Sequence, residues 1–237
     1  MKLLAFESSA KAASTALLSD GALLAEYTQN SGQTHSRTLM EMAKDMLGNC
    51  GLTPQDVDAV AVAAGPGSFT GVRIGMACAK GFAWGRQLPL YGVSTLEAMV
   101  RGAAYADGIW CACMDARKQQ IYNAVFAMEQ GVLRRVTEDR ALAISELAQE
   151  LAGEKVPIWL VGDGAKLTAE TLAGSGLPLR LLPEQLRQQH ASGVALCAMA
   201  RIEAGDPGDA AALSPNYLRM AQAERTRQND HDFYLKK

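Results

Sequence analysis

Short apolar runs separated by turn residues open the chain. "KLLAFES", "AASTALLS" and "ALLAEYTQ" each read as a strand, and Asp20-Gly21 between the last two is a strong two-residue hairpin signal. The period then lengthens: "THSRTLMEMAKDML" spaces Leu39, Met42, Ala43, Met46 and Leu47 at helical intervals, with Ser31 and Thr34 as candidate N-caps. Thr53 followed by Pro54 predicts a short second helix, a cap before a first-turn proline, and the unbroken run "VDAVAVAA" after it reads as a buried strand. A glycine-rich loop leads into a helix expected near Val72, "LPLYGV" is a further strand, and Ser94 with Glu97 forms the S-x-x-E box that opens the next helix.

The second half repeats this order. "IWCACMDA", "QQIYNAVFAME" and "GVLRRVTE" read as strands, "ISELAQELA" as a helix, and "VPIWLVGDGA" as a strand ending in a second glycine loop before the helix "KLTAETLA". The glycine loops, "GPG" at Gly65 and "GDG" at Gly162, lie about a hundred residues apart, and the halves share pattern rather than letters. This duplication predicts an α/β chain of two actin-like lobes (ASKHA, RNase H-like), each a mixed sheet flanked by helices. It is similar to the layout of the actin, hexokinase and Hsp70 superfamily, in which ATP lies between the lobes. The expected boundaries are an N-terminal lobe over 1–100, a C-terminal lobe over 101–212 and a tail over 213–237.

Composition narrows the function classes. With 49% apolar and 20% charged residues in 237, the chain reads as globular, and a formal charge of −2 argues against gripping nucleic acid unaided, which needs clustered Lys and Arg. Before Glu7 stand four consecutive apolar residues, too few for a signal peptide, and no later run approaches the ~20 needed to cross a bilayer, so a cytoplasmic protein without membrane contact is expected. Five cysteines without regular spacing are a poor disulfide framework. Cys111 and Cys113 alternate onto one strand face, but a zinc site needs about four ligands, and His35, His190 and His231 form no closely spaced pair. No metal is expected, and the two thiols are read as small core groups.

The segment "AAGPGSFTGVRIGMACAKGFAWG", Ala63 to Gly85, carries the sharpest local signal. Gly65 and Gly67 lack the Cβ atoms that keep backbone away from a ligand, Ser68 and Thr70 are candidate caps, and the free N–H groups of a helix start form an anion seat. Yet Gly71 is followed by Val72 and Arg73, not Lys-Ser/Thr, and G-x-G-x-x-x-G misses the dinucleotide fingerprint. Gly65, Gly67, Ser68 and Thr70 therefore read as a weak or vestigial nucleotide loop, offering at most weak ATP or ADP binding, with no cofactor required.

Gly71, Gly75, Ala79 and Ala83 recur every four residues, a ridge almost without side chains on a helix where each glycine costs ~1 kcal/mol against alanine. Such a ridge admits close backbone approach, either by the helix's own sheet or by a partner helix, and spacing alone leaves both open. Read as a partner surface, it joins Val72 and Met76 to Leu39, Met42 and Met46 of the preceding helix, where methionine can repack against different partners. On that reading Gly75→Leu spares the fold and weakens binding tenfold to hundredfold, ~1–3 kcal/mol.

"GPGSFTGVRIGMACAKGFAWG" closely resembles the GPGSFTGxRIG…AKG signature of the bacterial TsaB (YeaZ) family, and "MDARKQQIY", Met114 to Tyr122, is similar to its second motif. "QTHSRTLM" and "SPNYLRMAQAER" extend the likeness from end to end, while Glu7 stands where Asp is more usual in the family, which weighs against a nucleotide role for the first hairpin. The resemblance implies a subunit rather than a catalyst. TsaB is similar in fold to TsaD, which transfers threonylcarbamoyl from its adenylate to an adenosine beside the anticodon of tRNAs reading codons that begin with A, and which holds a metal through a histidine pair absent from this sequence. It further implies a heterodimer with TsaD, assembly with the ATPase TsaE, a possible homodimer through the same surface, and tRNA reached only through the complex.

Three enzymatic alternatives are weaker. A metallopeptidase lacks its ligands, and Ser8-x-x-Lys11 has no S-D-N or K-T-G companion. A small-molecule kinase of the ASKHA type is the stronger rival. It needs a carboxylate pair, for which Glu7, Asp115 and Asp163 are the candidates.

Overall fold

The computed structural model describes residues 1–219. Lys2–Glu7 (β1), Ala13–Ser19 (β2) and Ala22–Gln29 (β3) form the expected antiparallel meander. Asp20 and Gly21 turn it with φ of 51° and 82°, the two left-handed positions a tight hairpin demands. His35–Asn49 (α1) starts after Thr34, whose side chain makes no capping bond, and a 3-10 turn at Pro54–Asp56 is closed by the Thr53 N–H donating to the Asp56 carboxylate at 2.8 Å. Ala59–Ala63 (β4), Phe69–Trp84 (α2), Leu90–Val93 (β5) and Thr95–Ala103 (α3) complete the first half. α2 begins three residues earlier than Val72 because Ser68 caps it, its hydroxyl accepting from the Gly71 N–H at 3.2 Å.

The second half holds Gly108–Asp115 (β6), Gln120–Glu129 (β7), Val132–Arg135 (β8), Arg140–Ala143 (β9), Ile144–Glu150 (α4), Ile158–Val161 (β10), Ala165–Thr171 (α5), Leu179–Leu181 (β11), Glu184–Arg187 (α6) and Ala191–Glu203 (α7). The two sheets have equivalent orders, β3-β2-β1-β4-β5 and β8-β7-β6-β10-β11, antiparallel on one side and parallel on the other. The chain therefore adopts the duplicated actin-like layout.

One boundary is corrected. The expected C-terminal lobe over 101–212 does not keep α7, which crosses back onto the first sheet, packing Val194, Ala195 and Ala198 against Leu3, Ala5 and Ala61. Two residues of the first lobe hold its N-terminus: the Ser192 N–H donates to the Glu26 carboxylate at 2.8 Å and the Ala191 N–H to the Ser14 hydroxyl at 3.1 Å. A carboxylate suits the positive end of a helix. α3 lies between α7 and the second sheet, where Leu96 and Val100 meet Trp110 and Phe126. Gly193 permits the α3–α7 crossing, since a Cβ there would collide with the Ala98 carbonyl. The other face of the first sheet is covered by α1 and α2 through Leu4, Phe6, Val60, Val62, Leu39, Met46 and Met76.

Candidate functional site

The duplication leaves a cleft of about 490 Å³ between the lobes, lined by Ser9 and Lys11 after β1, by the loop Pro66 to Thr70, by Asp115 at the end of β6 with Arg117 after it, and by Asp163 after β10. Carboxylates at the ends of parallel strands make this the chemically richest region of the molecule. Glu7 is 1% exposed and accepts the Ser9 N–H at 2.5 Å. Burial raises its carboxyl to about 7, aided by the negative charge of Asp163 and opposed by the Ser9 hydrogen bonds and by His190. Asp163 opens onto the cleft, accepts from the Gln189 amide at 3.2 Å, and is also raised by desolvation. Asp115 accepts the Arg117 N–H at 2.7 Å within the β6–β7 turn. That turn places Arg117, Lys118 and Gln119 consecutively at φ of 65°, 56° and 57°, values uncommon outside glycine and not foreshadowed by the sequence.

The glycine loop is filled by the chain's own backbone. Gly65, at φ +110°, faces the Asn216 carbonyl oxygen, 2.5 Å from where a Cβ would stand, and Gly67 faces the Ser9 carbonyl at the same distance. Gly71 abuts the Ser8 carbonyl, and Gly75 would meet the Ser8 hydroxyl at 2.5 Å and Val62 at 3.5 Å. Ser8 is bound into this contact, its hydroxyl donating to the Gly71 carbonyl at 2.9 Å, and Ser68 N–H donates to the Ser9 carbonyl at 2.7 Å. Gly67, Ser68 and Thr70 still border the cleft.

The same geometry places the candidate partner residues. Leu39, Met46, Val72, Gly75, Met76, Ala79 and Ala83 are buried against the first sheet and Met42 is half-buried, a correction to their reading as an outward surface. The ridge of small residues is what lets β1 and α2 approach. The outward stripe of α2 is instead Arg73, Ala77, Gly81 and Trp84, with Trp84 81% exposed and Ile74, Cys78 and Phe82 half-buried beside it.

The remaining candidates take structural positions. Cys111 and Cys113 are buried and free, and burial pushes the Cys113 thiol up to about 12. His35 bonds the Lys11 carbonyl at 3.2 Å, and the Glu26 carboxylate, 3.4 Å from His190, holds that ring above its ordinary value. His231 lies outside the described residues. Among the described residues no three His, Cys, Asp or Glu side chains come together in an arrangement that could hold a metal, and no helix is long and apolar enough to cross a membrane.

Residues 23–225 match the family model described as TsaD: tRNA N6-adenosine threonylcarbamoyltransferase. The chain is 30% identical to the tRNA threonylcarbamoyladenosine biosynthesis protein TsaB of Bacillus subtilis (strain 168), across 94% of this chain and 96% of that one. It is 36% identical to the protein of the same name from Escherichia coli (strain K12), across 76% and 79%. Among solved structures, YeaZ from Pseudomonas aeruginosa matches with a TM-score of 0.78 at 28% identity, covering 92% of this chain and 99% of that one. Near-complete coverage in both directions, a shared fold and the glycine-loop signature agree: the chain belongs to the TsaB (YeaZ) family.

Proposed function

We propose that this chain is a non-catalytic subunit required for threonylcarbamoylation of tRNAs reading codons that begin with A. It acts by binding and supporting a TsaD-type transferase, together with the ATPase TsaE, and meets tRNA only through that assembly. The observation that carries the reading is the outward stripe of α2, where Ala77 and Gly81 leave bare backbone between Arg73 and the exposed indole of Trp84. Small residues admit a second helix and a flanking aromatic gives it an anchor. A second copy of this chain would use the same face. The kinase alternative is disfavoured by the state of its three carboxylates, each of which already accepts a bond from its own chain: Glu7 from Ser9, Asp115 from Arg117 and Asp163 from Gln189. No cofactor is required, nucleotide affinity is weak, and the Gly65 to Gly71 loop serves chiefly to join β1 to α2.

Gly81→Arg tests the interface. A Cβ at Gly81 meets nothing within 4 Å, so the variant should melt at or slightly above the wild-type temperature, given the better helix propensity of arginine. Its affinity for a TsaD-type partner, measured by calorimetry, should fall at least tenfold, ~1.4 kcal/mol. A stable variant that binds at wild-type strength removes the stripe from the interface. The isolated chain is also expected to show no ATP hydrolysis, peptide cleavage or tRNA modification. Magnesium-dependent ATP turnover that survives rigorous removal of partners would favour the kinase instead.

A further inference from the structure

The chain beyond α7 returns along the first lobe and crosses the mouth of the cleft. Leu213 seats on Gly92, where a Cβ would have no room, and the Asn216 N–H donates to the Ala64 carbonyl at 2.7 Å, which presses the Asn216 carbonyl onto Gly65. Tyr217 then stacks on Phe69, ring centroids 4.7 Å apart. The Arg73 guanidinium lies 3.8 Å from the Phe69 centroid and donates through Nε to the Tyr217 hydroxyl at 2.7 Å. Two residues later Arg219 donates to the Ala116 carbonyl of the second lobe at 2.6 Å. Within four residues the chain is tied to both lobes, by the Asn216 backbone to the first and by the Arg219 side chain to the second, and these four residues form part of the cleft wall.

We propose that Asn216 to Arg219 is a latch that joins the lobes and keeps polyphosphate ligands out of the cleft, with the Phe69–Arg73–Tyr217 stack as its catch. One further observation supports this. The space bared at Gly65 is taken by the Asn216 carbonyl, so the loop cannot present its backbone there until Asn216 leaves. The catch is a side-chain contact on a segment with Tyr217 39% exposed, so it can part without unfolding either sheet.

The test uses the full chain, its Tyr217→Ala and Tyr217→Phe variants, amide hydrogen exchange and calorimetry with MgADP as the probe. In the wild type the Asn216 amide should exchange at least tenfold more slowly than a free peptide. In Tyr217→Ala that protection should be lost, with faster exchange across the 65–70 loop, and MgADP should bind at least tenfold more tightly than to the wild type. Tyr217→Phe keeps the stack but loses the Arg73 bond and should fall between them. A wild-type Asn216 amide that exchanges at the free rate overturns the latch without recourse to any variant. Unchanged protection in Tyr217→Ala overturns the catch. A released segment with MgADP affinity no higher than that of the wild type, undetectable binding to both included, overturns the exclusion.

Discussion

Gly75→Leu is expected to lower the melting temperature by about 6–12 °C. At this position even a methyl group would stand 2.5 Å from the Ser8 hydroxyl and 3.5 Å from Val62, and leucine extends three carbons further into the same gap between α2 and β1. Ser8 cannot step aside without giving up its buried bond to the Gly71 carbonyl, so overpacking is joined by a lost hydrogen bond. Overpacking of a fitted core costs ~1–3 kcal/mol, and the added bond places the sum at about 3 kcal/mol or more. For a chain of this size each kcal/mol moves the melting temperature by roughly 2–4 °C. The paired control is Gly81→Leu on the same helix, where a Cβ meets nothing, and it should melt within about 2 °C of the wild type. Equal melting of the two variants, followed by circular dichroism, would return the ridge to the surface. The spacing of small residues alone allowed the opposite expectation, an intact fold with a weakened partner contact, and the inward direction of Gly75 reverses it.

That reversal marks where the sequence stops being informative. β1, β2 and β3 were legible because short apolar runs and Asp20-Gly21 mark strands and turn locally, and α1 because Leu39, Ala43, Met46 and Leu47 recur on one face. The four-residue recurrence of Gly71, Gly75, Ala79 and Ala83 was equally plain, but a bare ridge fits a sheet or a partner alike. What decides between them is Ser8, 63 residues from its bond partner Gly71. α7 is harder still. "ASGVALCAMARIE" is covered by the first sheet on one side and by α3 on another, so it shows little contrast between faces, and its docking depends on Ser14 and Glu26, more than 160 residues away. β9 and β11 are short, four and three residues, and offer too few positions for a period. Around the cleft, Glu7, Asp115 and Asp163 were recognisable as strand-end carboxylates, but their partners come from turn geometry or from distant chain: the Ser9 and Arg117 N–H groups and the Gln189 amide. The segment from Leu213 to Arg219 has no regular structure and no periodic signal. Only its contacts with Gly92, Ala64, Phe69 and Ala116 give it a role.

Glu7→Gln is expected to stabilise the protein above neutral pH and to make little difference in mild acid. The Glu7 carboxyl, 1% exposed, is pushed from 4.5 to about 7 by desolvation, and the Ser9 bonds and His190 only partly offset that push and the repulsion of Asp163. Between these two values the folded chain keeps a proton that the unfolded chain has released, so stability falls as pH rises through the window and levels off above about 7. One pKa step is ~1.4 kcal/mol, which puts the loss at about 3 kcal/mol once both states are ionised. Glutamine has no proton to lose, and its side-chain oxygen can still accept the Ser9 N–H. Asp163 and His190 face Glu7 in both proteins, so their own titration enters both curves and largely cancels in the difference. The melting temperatures of the two proteins should therefore converge near pH 4.5 and separate with rising pH, the glutamine variant standing about 6–12 °C higher at pH 8. A difference that stays flat from pH 4.5 to 8.5 would mean that Glu7 is ionised in the folded state throughout, with the Ser9 N–H and His190 supplying what burial takes away.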